Sequence, residues 1–208
     1  MLVPDEDICG GLTGIVLAGG LSSRLGHDKA ELRLESGSGI DLLARSVALL
    51  RAVCAKTLVI GRRNPNYDCL PDDTPRQGPV GGIATALRAA GTACLVISCD
   101  LPFMEGAVIR RLIAAHAARP AGMLCTLYKQ RETGHVEALV AIYEPECLPF
   151  FQACLAKGHL KISRVVPEDR QHFLPYSARE SLPFFNINYP ADLEAAHRIV
   201  NAAGSSGL

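Results

Sequence analysis

The sequence carries no excess of charge of either sign: Lys and Arg total 21, Asp and Glu total 21, and the formal net charge is zero. With no net field there is no global electrostatic reason to expect a nucleic-acid partner or a membrane surface, which leaves only local basic sites to consider. No apolar run approaches the ~20 residues that a membrane-spanning helix needs, and no apolar signal segment opens the chain. The eight cysteines contain no CxxC pair and the six histidines no HxxxH or HExxH spacing, so a structural zinc site has little basis. Cys9, Cys54, Cys69, Cys94, Cys99, Cys125, Cys147 and Cys154 are scattered through apolar stretches, which predicts reduced thiols in a cytoplasmic protein and not a disulfide framework.

What is present is the composition of an ordinary globular protein, 49% hydrophobic and 20% charged, with 19 Gly and 13 Pro spread along 208 residues. The length suits one large α/β domain, and no linker or repeat divides it, so a single domain over 1–208 with its core at about 13–200 is expected. Leu12–Ala18, Thr57–Ile60 and Ala93–Ser98 read as buried strands, rich in branched apolar residues and ended by glycine or an acid. Between and after them, Ile40–Val53, Val80–Ala90 and Val108–His116 carry apolar residues at helical spacing, with Gly91 placed as a C-terminal cap. Strands alternating with helices imply βαβ units and right-handed crossovers, hence a Rossmann-like α/β sandwich with a mainly parallel sheet. In the second half, Gly122–Tyr128 and His135–Tyr143 suit a hairpin, Pro145–Lys157 a helix, Phe173–Pro175 and Phe185–Ile187 short strands, and Pro190–Val200 a last helix before a fraying tail.

The chemistry concentrates in LAGGLSSRLGHDKAEL, Leu17 to Leu32, which opens at the end of the first strand, where ligands of open α/β sheets bind. Gly19 and Gly20 have no Cβ, so backbone N–H groups can approach phosphate oxygens; Ser22 and Ser23 add hydroxyl donors, and Arg24 and Lys29 two positive charges. The spacing is neither the P-loop GxxxxGK[ST] nor the dinucleotide fingerprint GxGxxG. The plainer reading is a glycine turn with solvated charges. Asp100, in SCDLPF, ends the third strand where a hard cation could bridge it to phosphates, or where it could cap the next turn. In PDDTPRQGPVGGI, Asp72 or Asp73 precedes a glycine-rich helix entry whose Gly81 and Gly82 would let a ligand approach a helix N-terminus. Ser22, Ser23, His27 and Asp28 lie within one loop without a GxSxG elbow, so a hydrolase triad is not supported. Lys129, Arg131 and Glu132 form a charged loop, and Lys157, His159, Lys161, Arg164 and Arg170 a loosely basic region open to a second anionic substrate.

Taken in order, LAGGLSSRLGHDKA, GPVGGI, CDLPF and NINYPADL resemble the molybdenum cofactor guanylyltransferases, the MobA type within the MobA-like nucleotidyltransferase superfamily. The resemblance spans about Thr13 to Val200 and implies a fold like that of nucleotide-diphospho-sugar transferases. It further implies Mg2+-dependent transfer of GMP from GTP to molybdenum-loaded molybdopterin, with release of pyrophosphate, and molybdoenzyme maturation proteins as further partners. Carried over by position, Leu17, Ala18, Gly19, Gly20 and Ser22 would touch the nucleotide, Arg24 and Lys29 its phosphates, and Asp72 with Gly81 and Gly82 its other side. Asp100 would hold magnesium, and Asn186 and Asn188 would shape the active site near metal or pterin. Of the two aspartates, Asp72 is favoured because it stands six residues before Gly78. Two features depart from the pattern: Gly61 stands where many members carry a nucleotide-holding asparagine, and ELRLESGSGIDLL contains an extended Ser/Gly-rich loop. A cytidylyltransferase of the same cofactor, a sugar-phosphate or phospholactate nucleotidyltransferase, and a non-catalytic cofactor carrier are the alternatives; retention of Arg24, Lys29 and Asp100 argues against the carrier.

Overall fold

The computed structural model describes residues 11–19, 29–34, 39–74 and 77–205. Its elements run β1 (Thr13–Leu17), α1 (Leu42–Arg51), β2 (Lys56–Ile60), β3 (Cys69–Leu70), α2 (Gly78–Ala90), β4 (Cys94–Ser98), α3 (Gly106–Ala117), β5 (Cys125–Gln130), β6 (Val136–Tyr143), α4 (Leu148–Ala156), β7 (Gln171–Tyr176) and α5 (Pro190–Ser205). The seven strands form one sheet in the order β3-β2-β1-β4-β6-β5-β7. β2 and β4 flank β1 in parallel and β3 continues the parallel run, whereas β6 lies antiparallel between β4 and β5, and β7 is parallel to β5.

β1 and β4 read as unbroken apolar runs because both faces of the sheet are covered. Val16, Val59, Leu95 and Ile97 share one core with Leu43, Val47 and Leu50 of α1 and Ile109 and Leu112 of α3. The alternate residues Ile15, Leu58, Ile60 and Val96 share the other with Ile83 and Leu87 of α2 and Phe151 of α4. The result is the expected three-layer arrangement, a helix layer on each side of a mixed, mainly parallel sheet. α1 is started by Asp41, whose Oδ1 accepts from the Ala44 N–H at 2.6 Å. α2 stops at Gly91, which takes the left-handed conformation at φ 64°.

Several expectations in the second half are corrected. The helix expected over Pro145–Lys157 divides into a 3-10 turn, Pro145–Cys147, and α4. Phe185–Ile187 is not a strand: Leu182–Phe184 forms a 3-10 turn because Phe184 is drawn into an aromatic cluster, its ring 4.5 Å from Tyr176 and 5.0 Å from Tyr128. The tail expected to fray from Asn201 is instead helical as far as Ser205, where α5 ends, and 206–208 lie outside the described residues. β3 carries only two residues, both half-exposed, and had no sequence signal. Among the described residues, Cys69, Cys94, Cys125, Cys147 and Cys154 form no disulfide, and no helix is long and apolar enough to cross a membrane.

Candidate active site

Parallel register sets Leu17 level with Ile60 on one side and Ser98 on the other, so β1, β2 and β4 end together at one rim. The ladder continues one step beyond the strands: the Ala18 N–H donates to the Ile60 carbonyl at 2.9 Å and the Cys99 N–H to the Leu17 carbonyl at 3.1 Å. The backbones then touch. A Cβ on Gly61 would lie 2.4 Å from the Cα of Gly19 and 2.7 Å from its nitrogen, and Gly61 itself sits at φ +94°. This gives Gly61 a backbone reason: a side chain there would displace the segment that leaves β1. The asparagine side chain that the resemblance leads one to expect therefore has no room at this position while Gly19 stays where it is.

Asp100 follows β4 at the same rim. The Ser98 hydroxyl donates to its Oδ1 at 2.6 Å, and its own carbonyl accepts from the Ile187 N–H at 3.0 Å, so both side chain and backbone are positioned. A carboxylate oriented in this way has the hard-oxygen chemistry that Mg2+ prefers. Among the described residues no three His, Cys, Asp or Glu side chains gather into a cage for a metal. The donor set fits an ion held by one carboxylate together with ligand phosphates, which is the usual mode for Mg2+.

On the β2–β3 side, Asp72 Oδ1 accepts from the Thr74 N–H at 2.9 Å, the Thr74 hydroxyl at 3.2 Å and the Thr85 hydroxyl at 3.2 Å. It thereby ties the loop to α2. Asp73 instead turns to the exposed Arg88 guanidinium as a surface ion pair. Gly81 and Gly82 are both buried within α2. A Cβ on Gly81 would meet the Thr74 hydroxyl at 2.4 Å, and one on Gly82 the Leu17 side chain at 3.1 Å. Their missing side chains let the loop and sheet pack against α2.

Lys29 opens a 3-10 turn, Lys29–Glu31, whose next residue, Ala30, is 2% exposed and embedded in the core beside α1. The apolar anchor fixes where the lysine leaves the backbone; its side chain, and all of Gly20, Ser22 and Arg24, lie outside the described residues.

The segment 185–188 connects Asp100 to a second feature. Ile187 bonds Asp100, and its neighbour Asn186 lines an open cleft of about 480 Å3 at the ends of β5, β6 and β7. Asn186 Oδ1 is buried there without a hydrogen-bond partner. Asn188 lies on the other side of Ile187, and its N–H donates to Asp192 Oδ2 at 2.9 Å at the start of α5. Gln130, His135, Glu137 and Tyr176 also line the cleft. The Tyr176 hydroxyl donates to Glu137 Oε1, and His135 Nε2 stands 3.8 Å from the same oxygen. Burial pushes the Glu137 carboxyl up, opposed by the Tyr176 hydroxyl and by His135. Neither Glu137 nor Tyr176 was singled out from the sequence; the available signal was a carboxylate inside the otherwise apolar HVEALVAIY. The charged loop is partly engaged in structure: Lys129 lies 3.2 Å from Glu168, and the Ala178 N–H donates to Glu132 at 3.1 Å. In the basic region, Arg170 Nε donates to the Gly122 carbonyl at 2.7 Å, while Lys157, His159, Lys161 and Arg164 are exposed.

Residues 14–172 match the family model of the MobA-like NTP transferase domain. The chain belongs to the MobA-like NTP transferase family. It is 39% identical over 181 residues to a protein of Xanthomonas euvesicatoria named molybdenum cofactor guanylyltransferase, covering 86% of this chain and 90% of that one. A probable molybdenum cofactor guanylyltransferase of Chloroflexus aggregans is 33% identical over 199 residues, with 88% and 92% covered. Among solved structures, the molybdopterin-guanine dinucleotide biosynthesis protein A of Archaeoglobus fulgidus superposes with a TM-score of 0.72 at 26% identity, over 92% of this chain and 100% of that one. The 2-C-methyl-D-erythritol 4-phosphate cytidylyltransferase of Thermus thermophilus, at 17% identity and a TM-score of 0.62 over 90% of this chain and 98% of its own, shares the fold. The MobA-like family thus accounts for the nucleotidyltransferase architecture.

Proposed function

We propose that this protein is a molybdenum cofactor guanylyltransferase, which transfers GMP from GTP to molybdenum-loaded molybdopterin and releases pyrophosphate. The observation that carries the reading is the shared rim of β1, β2 and β4, where the backbones of Gly19 and Gly61 meet and Ser98 orients Asp100. The relatives' names supply the substrates, and the rim is the place this reading assigns to them.

In this reading Leu17, Ala18 and Gly19 present backbone to the nucleotide, with Gly20 and Ser22 continuing the loop and Asp72 holding the opposite wall in shape. Arg24 and Lys29 neutralise the triphosphate. Asp100 is the ligand for Mg2+, which when bound would offset charge on the triphosphate and the departing pyrophosphate. The acceptor phosphate needs no general base, because a phosphomonoester has its second pKa near about 6 and is largely dianionic at neutral pH. One of its oxygens forms the new bond to the α-phosphorus as the bond to the β-phosphate oxygen breaks. The protein's task is then alignment of two anions and stabilisation of the charge that moves to the leaving group. Asn186 and Asn188, on either side of the Ile187 contact to Asp100, bring the acceptor side of the site against the nucleotide side. The reaction belongs to the cytoplasm, with delivery of product to molybdoenzyme maturation proteins.

The test is incubation of the purified protein with Mg2+, molybdenum-loaded molybdopterin and each of the four nucleoside triphosphates in turn. Pyrophosphate release and the mass of a guanine dinucleotide with GTP alone are expected; a cytosine dinucleotide, or no transfer to molybdopterin from GTP, would overturn the reading.

A further inference from the structure

The cleft at the ends of β5, β6 and β7 contains one carboxylate whose placement the nucleotide chemistry does not use. β6 pairs with β4 only from Val140 to Tyr143, while Val136 and Glu137 pair with β5 alone, and the register of β5 against β6 shifts between Leu127 and Tyr128. An irregularity of this kind re-aims side chains beside an active site. Here it leaves Glu137 on the cleft wall, with its side chain only 13% exposed. Opposite it, Tyr176 is the last residue of β7, in register with Gln130 of β5, and its ring packs tilted against Phe184 at 4.5 Å. Its hydroxyl donates to Oε1 of Glu137, which fixes the carboxylate plane. On the same cleft, Asn186 Oδ1 is a buried acceptor with no donor. A fixed carboxylate and an unsatisfied amide oxygen together call for a ligand that presents several N–H donors, since a buried acceptor left without a donor is costly.

We infer that Glu137, positioned by Tyr176 and accompanied by Asn186, is the residue that reads the acceptor, pairing with the adjacent amino and ring N–H donors of a 2-amino-pyrimidinone edge such as that of a pterin. The inference rests on the transferase reading for the identity of the acceptor. Glu137 is a binding residue and Tyr176 a positioning residue, and neither takes part in bond making. A carboxylate accepts both N–H groups of such an edge at once, whereas an amide at the same place offers one oxygen and one mismatched N–H group. The 480 Å3 volume is of the size small-molecule sites have, and its place beside the Asn186–Ile187 link to Asp100 puts a bound heterocycle next to the nucleotide rim.

The experiment measures equilibrium binding of metal-free molybdopterin, without GTP, to the wild type and to Glu137→Gln and Tyr176→Phe, alongside thermal unfolding and GTP binding for each. Transfer by the wild type is assayed separately. The expected result is a Kd for molybdopterin raised about 10-fold or more in Glu137→Gln and several-fold in Tyr176→Phe, with Tm and GTP affinity unchanged. A merely structural role for the pair would lower Tm and spare the Kd ratio. Equal Kd values for wild type and Glu137→Gln, or no binding by the wild type, overturn the inference. Guanylyl transfer by the wild type in that case leaves the transferase reading standing. Conversely, selective loss of molybdopterin binding in Glu137→Gln without wild-type transfer would keep Glu137 as the pterin-binding residue while removing the transferase reading and, with it, the pterin's role as acceptor.

Discussion

Gly19 and Gly61 meet backbone to backbone, with 2.4 Å between the Cα of the first and the place where a Cβ of the second would stand. The contact links the exits of β1 and β2 and leaves main-chain groups, with no side chain, at this part of the rim. It also converts a departure from the family pattern into a structural requirement. Restoring the missing asparagine is predicted to harm the protein. Gly61→Asn, although asparagine tolerates positive φ better than most residues, is expected to cost about 1–3 kcal/mol and to weaken GTP binding, because Gly19 must move. Thermal unfolding and GTP titration of the variant check this; tighter GTP binding at unchanged Tm would contradict it.

The Ser98 hydroxyl and Asp100 Oδ1 are 2.6 Å apart. Asp100→Asn is expected to reduce turnover by about 100-fold or more while leaving the fold intact. Ser98→Ala should act more mildly, raising the Mg2+ concentration needed for half-maximal rate and lowering turnover roughly 10-fold, in line with a lost hydrogen bond to a charged group. Metal-dependence curves for the two variants test the order of effects, and an Asp100→Asn enzyme with wild-type kinetics would remove the residue from its assigned place. Lys29→Ala is likewise expected to lower turnover by a few orders of magnitude without loss of fold.

Asp72 acts through the loop it holds. Three donors converge on its Oδ1 from Thr74 and Thr85. Asp72→Ala is therefore expected to destabilise the protein by about 1–3 kcal/mol as well as to weaken nucleotide binding. Asp73→Ala, which breaks only an exposed ion pair with Arg88, should shift stability by less than about 1 kcal/mol. Urea denaturation of both variants separates them; equal losses would contradict the distinct roles.

His116 provides a pH signature of the fold. Burial, with the Arg119 guanidinium and His172 adding to it, pushes its imidazole down to about 4, and the neutral ring is 3.2 Å from the Thr126 hydroxyl. The nearby Glu144 carboxylate, 3.1 Å from Nε2, is itself paired with Arg119 and does not reverse the direction. The unfolded chain binds this proton near pH 6.5 and the folded one only near 4, so stability is present above that window and falls as pH drops through it. The loss should be on the order of 2 kcal/mol between pH 7 and pH 4, and His116→Gln should flatten that part of the profile. Denaturation midpoints measured at pH 7, 5.5 and 4.5 for both proteins check the sign.

The central fold was legible because β1, β2 and β4 are buried on both faces and so appear as plain apolar runs, and because Gly91 marks a helix end by its conformation. β3 was not, since two half-exposed residues leave no period to detect. Phe185–Ile187 looked like a strand from its apolar content, yet the tertiary draw of Phe184 toward Tyr128 and Tyr176 decided its course. At the rim, Asp100 and the Leu17–Gly19 exit were readable from strand ends. The reason for Gly61 was not readable, because it lies in contact with a residue 42 positions earlier in the chain, nor was Glu137, whose partner Tyr176 is 39 positions away.

A crystal structure with a non-hydrolysable GTP analogue and Mg2+ tests the account most directly. The triphosphate is expected along the backbone between Gly19 and Gly61, with the ion on the Asp100 carboxylate. Nucleotide density confined to the Glu137 cleft, or an ion bound away from Asp100, would contradict it.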